Sequence, residues 1–483
     1  MRCKIIINDE VNVKIEGLPV DVRRKISNKM KWQVPYARYL PQYKLGRWDG
    51  KVGFFGLGGN GYVNHLDKIL QIIHEEGIEV DSIDDKRQKT DLNFSLIDKD
   101  YFADKKWPKG HLCEGQSIEL RDYQVEVVNN FLRTPQSLQE VATGAGKTII
   151  TACLSSLCES IGRTVVIVPN KSLVTQTEED YKTVGLDVGV YFGDRKELNR
   201  THTICTWQSL NILDKRAKSG DSVLTLTDFL DGVKAIIVDE VHQAKADVLK
   251  KLLTGPFSNV PLRWGLTGTI PKDQHEFFGI RASLGQVINK LSAHELQEEG
   301  VLAECNIDVI QMQDTADFPN YQSELTYLVT DQKRLNYISG LIDEMSKNGN
   351  TLVLVDRIKC GEKLQELLPN ATFVKGAMKS ADRKDTYTEI NESTNMVVVA
   401  TYGVAAVGIN IPRIFNLVLI EPGKSFVRVI QSIGRGIRKA KDKDHIQIWD
   451  ITSSCKFSKR HLTQRKKFYR EAHYPFSVQK VDY

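Results

Sequence analysis

Residues 141–148 (VATGAGKT) place small residues before a lysine and a hydroxyl, which is the spacing of a phosphate-binding loop. The loop lies between an apolar run and a helix-forming run, and backbone N–H groups at a helix N-terminus favour anions. Lys147 can reach the β- and γ-phosphates of a nucleoside triphosphate, and Thr148 can bind Mg²⁺. Val141 replaces the usual first glycine. The residues predicted to bind ATP here are Ala142, Thr143, Gly144, Ala145, Gly146, Lys147 and Thr148.

Two adjacent carboxylates, Asp239 and Glu240, follow the predicted strand VKAIIV. The carboxyl ends of parallel strands are where such sheets bind ligands. We therefore predict that Asp239 holds Mg²⁺ through water and that Glu240 polarises the water that attacks ATP. A solvated strand end is the alternative, and the phosphate loop upstream argues against it.

Residues 431–438 (QSIGRGIR) contain Arg435 and Arg438, three positions apart and therefore on one face of a predicted helix. Guanidinium groups supplied by a second domain could meet the γ-phosphate as its charge redistributes during transfer. The alternative is an ordinary basic surface helix. Upstream, LRDYQ (120–124) provides Arg121 and Gln124, and the Gln124 amide offers both a donor and an acceptor to adenine.

The elements that position these residues repeat one pattern twice. Short strands that are apolar at every position alternate with helical stretches from residue 116 to 305, and again from 306 to 450. Strands covered on both faces indicate parallel sheets. The predicted fold class is therefore α/β, with two tandem parallel-sheet domains and a small N-terminal α+β domain.

The ends of the chain differ from this pattern. Residues 1–85 are predicted to form the small α+β domain, 86–115 a polar linker, and 451–483 a basic C-terminal extension. In the small domain, CKIIIN and NVKIEG read as strands and VDVRRKISNKM as a basic helix. Apolar residues spaced i, i+3, i+4 and i+7 predict a second helix from Leu66 to Ile73, which Gly77 ends.

Charge is concentrated at both ends, although the net charge is only +5. Residues 1–55 carry 12 Lys/Arg against 5 Asp/Glu, and residues 451–483 carry 8 against 2. Such ends suit a polyanion, while solvated surface charge remains the alternative. The N-terminal candidates for DNA contact are Arg23, Arg24, Lys25, Lys29, Arg47, Trp48 and Lys51, interleaved with aromatic residues. The C-terminal candidates are Lys456, Lys459, Arg460, Arg465, Lys466, Lys467 and Arg470.

Composition excludes several classes of protein. A chain of 483 residues with 41% hydrophobic residues is too long for one core and ordinary for a globular protein. No apolar run is long enough to span a bilayer, and the first residues lack the pattern of a signal peptide. None of the eight cysteines forms a CxxC pair, so we expect a reducing, cytoplasmic location and no zinc site.

The motifs, taken in order, resemble those of superfamily 2 helicases of the DEAD/DEAH-like type. They are LRDYQ, VATGAGKT, VVIVPNKSLVTQ (165–176), TWQSL (206–210), DEVH (239–242), LTGT (266–269), VVVATYGVAAVGINIP (397–412) and QSIGRGIRK (431–439). The resemblance covers roughly residues 118–450. It implies two RecA-like domains with ATP between them and nucleic acid across both.

The resemblance also implies roles for residues whose spacing alone says little. His242, Thr267 and Thr269 would couple ATP hydrolysis to the nucleic-acid groove. Gly408 and Asn410 would border ATP, and Gln431 would act with the two arginines. Nucleic-acid contacts would come from Pro169, Asn170, Thr206 and Thr401. Thr-Gly-Thr at 267–269 departs from the Ser/Thr-Ala-Thr of many relatives but removes no catalytic group.

The whole chain, including its small N-terminal domain, resembles the DNA helicases of recombination and repair in T-even bacteriophages. That resemblance implies action in the host cytoplasm on branched or forked DNA and RNA–DNA hybrids, by fork regression, Holliday-junction migration and R-loop removal. Three alternatives stay open: a restriction-complex motor, an RNA helicase and a clamp with an inactive ATP site. Retention of Lys147, Asp239 and Glu240 argues against the inactive clamp.

Overall fold

The computed structural model describes residues 1–109, 113–198, 200–222, 224–243, 246–376, 378, 380–406 and 411–483. The chain forms two compact units. The first comprises Met1–Val141 and Gly146–Lys290, and the second comprises Ala142–Ala145 and Leu291–Tyr483.

The N-terminal part of the first unit is a small mixed α/β structure. Its elements are β1 (Arg2–Ile7), β2 (Asn12–Glu16), α1 (Val20–Lys29), β3 (Lys31–Gln33), α2 (Pro41–Lys44), β4 (Lys51–Gly53), β5 (Asn60–Tyr62), α3 (Leu66–Glu75) and β6 (Glu79–Asp85). Short 3₁₀ turns cover Ala37–Tyr39 and Val63–His65. One sheet has the order β5-β2-β1-β6, and β3 pairs with β4 in a separate antiparallel ribbon. The strands and both helices predicted for this region are therefore present.

The remainder of the first unit is a RecA-like domain. Its elements are α4 (Asp122–Arg133), β7 (Gln136–Val141), α5 (Lys147–Cys158), β8 (Arg163–Val168), α6 (Lys171–Thr183), β9 (Val188–Phe192), β10 (Arg195–Lys196), β11 (His202–Thr206), α7 (Trp207–Ser219), α8 (Leu226–Phe229), β12 (Val233–Val238), α9 (Ala246–Thr254), β13 (Leu262–Thr267), α10 (Gln274–Leu284) and β14 (Gln286–Leu291). In the described residues the sheet order is β10-β9-β11-β8-β12-β13-β7-β14. Strands β7, β8, β11, β12 and β13 pair in parallel, so the predicted parallel sheet is confirmed.

The small N-terminal structure does not stand apart from the RecA-like domain. Its hydrophobic core includes Phe278 and Ala282 of α10, and the Trp32 ring centroid lies 4.6 Å from that of Phe278. An ion pair of 2.7 Å joins Asp67 to Arg281. A boundary at residue 85 therefore separates two sequence patterns but cuts through one continuous core.

The predicted linker is likewise anchored on the first unit. Ile97 and Phe102 are buried. The Ile97 backbone exchanges two 2.9 Å hydrogen bonds with the Asn129 side chain on α4. The described residues between 86 and 115 have little regular structure, as the polar composition of the segment predicts, yet part of the segment packs against the domain.

The second unit contains the second RecA-like domain. Its elements are α11 (Ala293–Glu298), β15 (Glu304–Met312), α12 (Tyr321–Leu328), α13 (Gln332–Ser346), β16 (Thr351–Val355), α14 (Ile358–Leu367), β17 (Ala371–Val374), α15 (Ser380–Glu392), β18 (Val397–Thr401), α16 (Tyr402–Ala406), β19 (Asn416–Ile420), α17 (Phe426–Gly436), β20 (His445–Ser453), α18 (Lys456–Glu471) and β21 (Phe476–Val481). Within the described part of the chain, the strand order is β17-β18-β16-β19-β20-β15-β21. The neighbouring strands pair in parallel.

The C-terminal segment belongs to this sheet and is not an appended extension. Strand β20 runs through the expected boundary at 450/451, and β21 pairs in parallel with β15. Helix α18 is held by Arg465, which is fully buried and bonds both carboxylate oxygens of Asp450 at 2.8 and 2.9 Å. Arg465 is therefore a structural residue, and its prediction as a DNA contact is wrong. The other predicted basic residues on α18 are exposed or half-buried.

Two further observations concern the whole chain. Seven of the eight cysteines are buried, and Cys113 is half-buried. Among the described residues, no helix combines the length and apolar character that crossing a membrane would require.

Candidate functional site: the nucleotide loop and the residues around it

The phosphate-binding loop connects β7 to α5, as the sequence predicts. Gly146 precedes the first residue of α5 with φ +79°, and Gly144 has φ +92°, backbone conformations that glycine adopts without strain. A Cβ at Gly146 would lie only 2.6 Å from Nε2 of Gln124, so this position also requires a small residue. The loop divides between the two compact units, because Ala142–Ala145 belong to the second.

Gln124 and Arg121 lie at the start of α4. Only 6% of Gln124 is exposed, and its Oε1 accepts a 3.0 Å hydrogen bond from the Arg121 backbone N–H. The Arg121 guanidinium donates to the Tyr123 hydroxyl at 3.0 Å. The structure thus places the Gln124 amide beside Gly146 and fixes it by a helix-capping bond, instead of leaving it on open surface.

Lys147 and Glu240 form an ion pair. Lys147 Nζ lies 3.1 Å from Oε1 of Glu240 and donates to the Val141 carbonyl at 3.3 Å. Glu240 follows β12 with φ +51°, a left-handed conformation that costs a non-glycine residue roughly 1–2 kcal/mol. The ammonium predicted to bind phosphate therefore neutralises the carboxylate predicted to polarise water.

Asp239 and Thr148 supply oxygen atoms of the type that Mg²⁺ prefers. The Asp239 carboxylate accepts a 2.8 Å hydrogen bond from the Glu240 backbone N–H. Burial and the adjacent Glu240 carboxylate raise the pKa of Asp239, while Lys147 lowers it. A divalent cation beside Asp239 would favour its ionised form, so the chemistry of this pair fits Mg²⁺.

The expected coupling residues are joined by hydrogen bonds. His242 Nδ1 lies 2.5 Å from Thr267 Oγ1. The Thr267 hydroxyl also donates to the Thr269 carbonyl at 2.8 Å, which uses its only proton, so His242 Nδ1 must be the donor in the first bond. Gly268 N lies 3.4 Å from Glu240 Oε2. A polar chain thus connects the end of β12 to the end of β13.

The predicted nucleic-acid residues of the first RecA-like domain begin two neighbouring helices. Asn170 caps α6 by accepting from Leu173 N at 3.0 Å, and Thr206 caps α7 by accepting from Ser209 N at 3.2 Å. The Pro169 carbonyl accepts a 3.1 Å bond from Gln208 on α7. The structure therefore brings Pro169, Asn170 and Thr206 together at the ends of the adjacent strands β8 and β11.

In the second unit, the prediction that Arg438 lies on a helix is wrong. Helix α17 ends at Gly436, so Arg435 lies in the helix and Arg438 lies beyond its end. The side chains of Arg435 and Gln431, and all of Gly408 and Asn410, lie outside the described part of the chain. Thr401 ends β18 and its Oγ1 accepts a bond of 3.3 Å from Val404 N.

Lys443 bonds the backbone at the end of α17, and sequence reasoning missed it. Its buried ammonium donates to the backbone carbonyls of Gly436, Arg438 and Pro412. Burial and the neighbouring Arg438 lower the pKa of Lys443 to about 7. The residue sits in the polar run KAKDKD, where a lysine is normally exposed, so no sequence signal marked it.

The N-terminal basic residues differ in their surroundings. On α1, Lys25 pairs with Glu76, Lys29 pairs with Glu75 at 3.0 Å, and Arg23 donates to the Leu57 carbonyl at 2.8 Å. Three further predicted residues, Arg24, Arg47 and Lys51, are exposed. Trp48 is half-buried and donates to the Lys51 carbonyl at 2.8 Å. Carboxylates therefore largely balance the charge of Lys25 and Lys29 on α1. Arg47 and Lys51, which follow β3, have no such carboxylate partner among the described residues.

Two family models match the chain in sequence order. "Type III restriction enzyme, res subunit" matches residues 117–272, and "Helicase conserved C-terminal domain" matches residues 333–440. Together they cover more than half of the 483 residues. The two matches fall on the two RecA-like domains described above.

Individual relatives agree with these models. The ATP-dependent DNA helicase uvsW of Enterobacteria phage T4 is 23% identical and aligns over 97% of this chain and 94% of its own length. The DNA 3'-5' translocase XPB2 of Sulfurisphaera tokodaii is 30% identical over 37% of each chain.

Among solved structures, a fragment of a putative HsdR subunit of a type I restriction enzyme from Vibrio vulnificus YJ016 has a TM-score of 0.57 at 18% identity. The match covers 97% of this chain and 85% of that one, and it shows a shared fold. Taking the two domain models, the ordered motifs and the full-length relative together, the chain belongs to the superfamily 2 helicases, enzymes that hydrolyse ATP to act on nucleic acids.

Proposed function

We propose that this helicase is a DNA translocase that unwinds or remodels branched DNA during recombination and repair. The observation that carries the proposal is the polar chain that starts at the Lys147–Glu240 ion pair and continues through His242 to Thr267. It joins residues suited to ATP hydrolysis to residues at the end of a neighbouring strand. The proposed substrates are forks, Holliday junctions and R-loops.

Hydrolysis begins when the phosphates of ATP bind the Lys147 ammonium. That contact takes Lys147 from Glu240, and the released carboxylate orients the attacking water and accepts its proton. Thr148 and Asp239 would hold Mg²⁺, which neutralises charge on the β- and γ-phosphates when it is bound. The adenine contacts are assigned to Arg121 and Gln124.

The second unit is proposed to complete the reaction. Arg435 and Arg438, with Gln431, stabilise the charge that develops on the transferred phosphoryl group. The residues assigned to border the nucleotide are Gly408 and Asn410. These roles rest on the family motif, because the structure describes only Arg438 among their side chains.

Coupling to DNA is assigned to the hydrogen bonds around Thr267. A change at Glu240 alters what His242 contacts, and His242 is bonded to Thr267. Both Thr267 and Thr269 are 1% exposed, so they act through the protein and do not touch DNA. The DNA contacts themselves are assigned to Pro169, Asn170, Thr206 and Thr401, with weak sequence preference because such residues mainly contact phosphates.

DNA as the substrate is supported by the phage T4 relative, which aligns over 97% of this chain; branched DNA is the narrower part of the proposal. The relative's name states a DNA helicase. The family description of a restriction subunit and the HsdR likeness support a second candidate, a restriction-complex motor. A helicase by definition separates strands, so strand separation distinguishes it from a motor that only moves along duplex DNA. An RNA helicase is the third candidate.

The test measures ATP turnover with single-stranded, duplex, forked and four-way DNA and with matched RNA ligands, and strand separation on the same substrates. We expect the strongest stimulation by forked or four-way DNA, together with strand separation. Lys147→Ala provides the control, since it should abolish turnover while DNA binding without nucleotide persists. Equal stimulation by RNA would favour the RNA helicase, and turnover on duplex without strand separation would favour the restriction motor.

A further inference from the structure

The segment between β3 and β4, residues 34–50, exposes an unusual set of side chains; we call it the tyrosine loop. Tyr36, Tyr39 and Tyr43 are 49%, 63% and 40% exposed, and Leu45 is 64% exposed. Large apolar groups at this density are normally buried, because each loses favourable free energy by contact with water. Several exposed large side chains within one short segment are a feature typical of a binding surface.

The loop is held in a fixed shape. Val34 N donates to the Gly50 carbonyl at 2.8 Å, and the Gln33 side chain donates to the same carbonyl at 3.0 Å. Val34 and Ala37 are buried beneath it. Gly50 has φ +77°, and a Cβ there would lie 2.9 Å from the Tyr43 ring. These contacts hold the loop backbone in one shape, and a binding surface that is already formed lowers the entropy cost of binding.

The charges around these rings are positive and uncompensated. Arg38, Lys44, Arg47 and Lys51 lie in or next to the loop, with Asp49 as the local acid. Across the described residues, none of these four cations has a carboxylate within 4.0 Å, in contrast to Lys25 and Lys29 on α1. An anion with flat apolar faces, such as a nucleic acid, matches both properties.

Tyr39 and Tyr43 are better placed for such a partner than Tyr36. The Arg38 guanidinium lies over the Tyr39 ring, 4.8 Å from its centroid, and donates to the Tyr39 hydroxyl at 2.8 Å. Tyr36 instead contacts the edge of His275, with ring centroids 6.1 Å apart, and burial and nearby carboxylates, including Glu276, raise the pKa of Tyr36. Those carboxylates would repel a phosphate, so we assign Tyr36 to anchoring the loop.

We propose that the tyrosine loop binds single-stranded DNA, with unpaired bases stacked on Tyr39 and Tyr43 and phosphates contacted by Arg38, Lys44 and Arg47. A stacking ring needs the open face of a base, and in duplex DNA that face is covered by neighbouring base pairs. The inference rests on the proposed function and deepens it. It assigns the loop to the single strand that emerges where a branched substrate is opened.

The test compares the affinities of labelled oligothymidylate and a blunt duplex for the full-length chain and two double variants. In the double variant Tyr39→Ala/Tyr43→Ala, we expect the affinity for single-stranded DNA to fall at least about fivefold for each ring removed. We expect the affinity for duplex DNA to fall by less than about twofold. Tyr39→Phe with Tyr43→Phe keeps both stacking faces and should bind like the wild type. Arg47→Gln should reduce the salt dependence of single-strand binding by about 0.7 in log–log slope.

Several results would overturn the inference. Equal single-strand affinity of the alanine variant and the wild type, with an unchanged circular dichroism spectrum, would remove the loop from DNA binding. If the alanine change then altered the sedimentation coefficient, the rings would serve contacts between copies of the chain. Equal losses in the phenylalanine and alanine variants would exclude stacking. The wild type's DNA-stimulated ATP turnover separately tests the proposed function, so the two failures can be told apart.

Discussion

His242 Nδ1 donates to Thr267 Oγ1 over 2.5 Å, and the same hydroxyl donates onward to the Thr269 carbonyl. Through these bonds, the segment after β12 is tied to the segment after β13 by one side-chain hydroxyl. Removing that hydroxyl therefore tests whether this connection couples ATP hydrolysis to DNA binding.

Thr267→Val is expected to preserve ATP affinity while lowering the stimulation of turnover by DNA. The valine leaves the His242 N–H without its acceptor in a buried place, which costs roughly 1–3 kcal/mol of unfolding free energy. ATP turnover with and without DNA, and chemical denaturation, measure both effects. Thr269→Val is the matched control for stability, because among the described residues Thr269 Oγ1 has no hydrogen-bond partner. Equal stability losses in the two variants would contradict the hydrogen-bond assignment.

Glu240→Gln is expected to bind ATP with Mg²⁺ but to turn it over about 10²–10⁴-fold more slowly. Glutamine keeps the size of the side chain and can still contact Lys147, yet it cannot accept the proton of the attacking water. Nucleotide binding and single-turnover hydrolysis measure the two properties separately. A loss of less than about tenfold would mean that another residue serves as the base.

Arg435→Ala and Arg438→Ala are each expected to lower maximal turnover more than ATP affinity. Both are assigned to charge that develops during phosphoryl transfer, and not to the ground state. Steady-state kinetics give the comparison. Lys443→Met should reproduce part of the Arg438 loss, since Lys443 bonds the Arg438 carbonyl at 2.9 Å. A variant that loses affinity alone, with unchanged maximal turnover, would exclude its arginine from this role.

Deletion of residues 1–85 is expected to destabilise the remaining chain, although every ATP motif starts at or after Leu120. The deletion would expose Phe278, which is 2% exposed, and burial of such a side chain contributes about 1.5–3 kcal/mol. Thermal denaturation and aggregation assays measure the effect. Trp32→Ala should cost about 2–3 kcal/mol and Trp48→Ala less, because only Trp32 packs against Phe278. A truncated chain as stable as the full one would contradict the shared core.

Acid is expected to weaken the same core through His65. This residue is fully buried between Phe54 and Phe278, and burial lowers its pKa to about 3. Between pH 6.5 and about 3 the unfolded chain binds the proton and the folded chain does not. Stability contributed by neutral His65 therefore falls as pH drops below 6.5, by at most about 1.4 kcal/mol per pH unit.

Chemical denaturation at several pH values measures this slope. His65→Phe should flatten it over the range from pH 6.5 to 4, because phenylalanine keeps the ring and does not titrate. His74→Gln on the exposed face of α3 serves as the control and should leave the slope unchanged. An unaltered slope in His65→Phe would assign the acid sensitivity to other groups.

The parts of the fold that sequence predicts are those with local causes. The run VVIV at 165–168 is apolar at every position because β8 is covered on both faces, and the parallel sheets follow from such runs. The phosphate loop and the adjacent acids are fixed by short motifs whose backbone requirements are local. Their expected positions after β7 and β12 are therefore found in the structure.

The differences arise where distant residues decide the outcome. Arg438 lies beyond the end of helix α17, where the distant Lys443 bonds the carbonyls of Gly436 and Arg438. The side chains of strand β21 do not alternate between buried and exposed, and most are exposed. The strand nevertheless completes the second sheet by pairing with β15. The N-terminal structure shares a core with α10 through Phe278, whose position in the sequence gives no sign of that contact. Each of these features depends on tertiary pairing that residue spacing does not encode.

The burial of the cysteines has a practical consequence for following this motor at work. Burial raises the pKa of the thiols at Cys153, Cys158, Cys205, Cys305 and Cys360, which suppresses the reactive thiolate as well as access to it. Cys113 is the half-buried exception. A maleimide dye added to the folded wild-type chain should therefore react preferentially at one position. That would give a fluorescent reporter for single-molecule work without an engineered cysteine-free background.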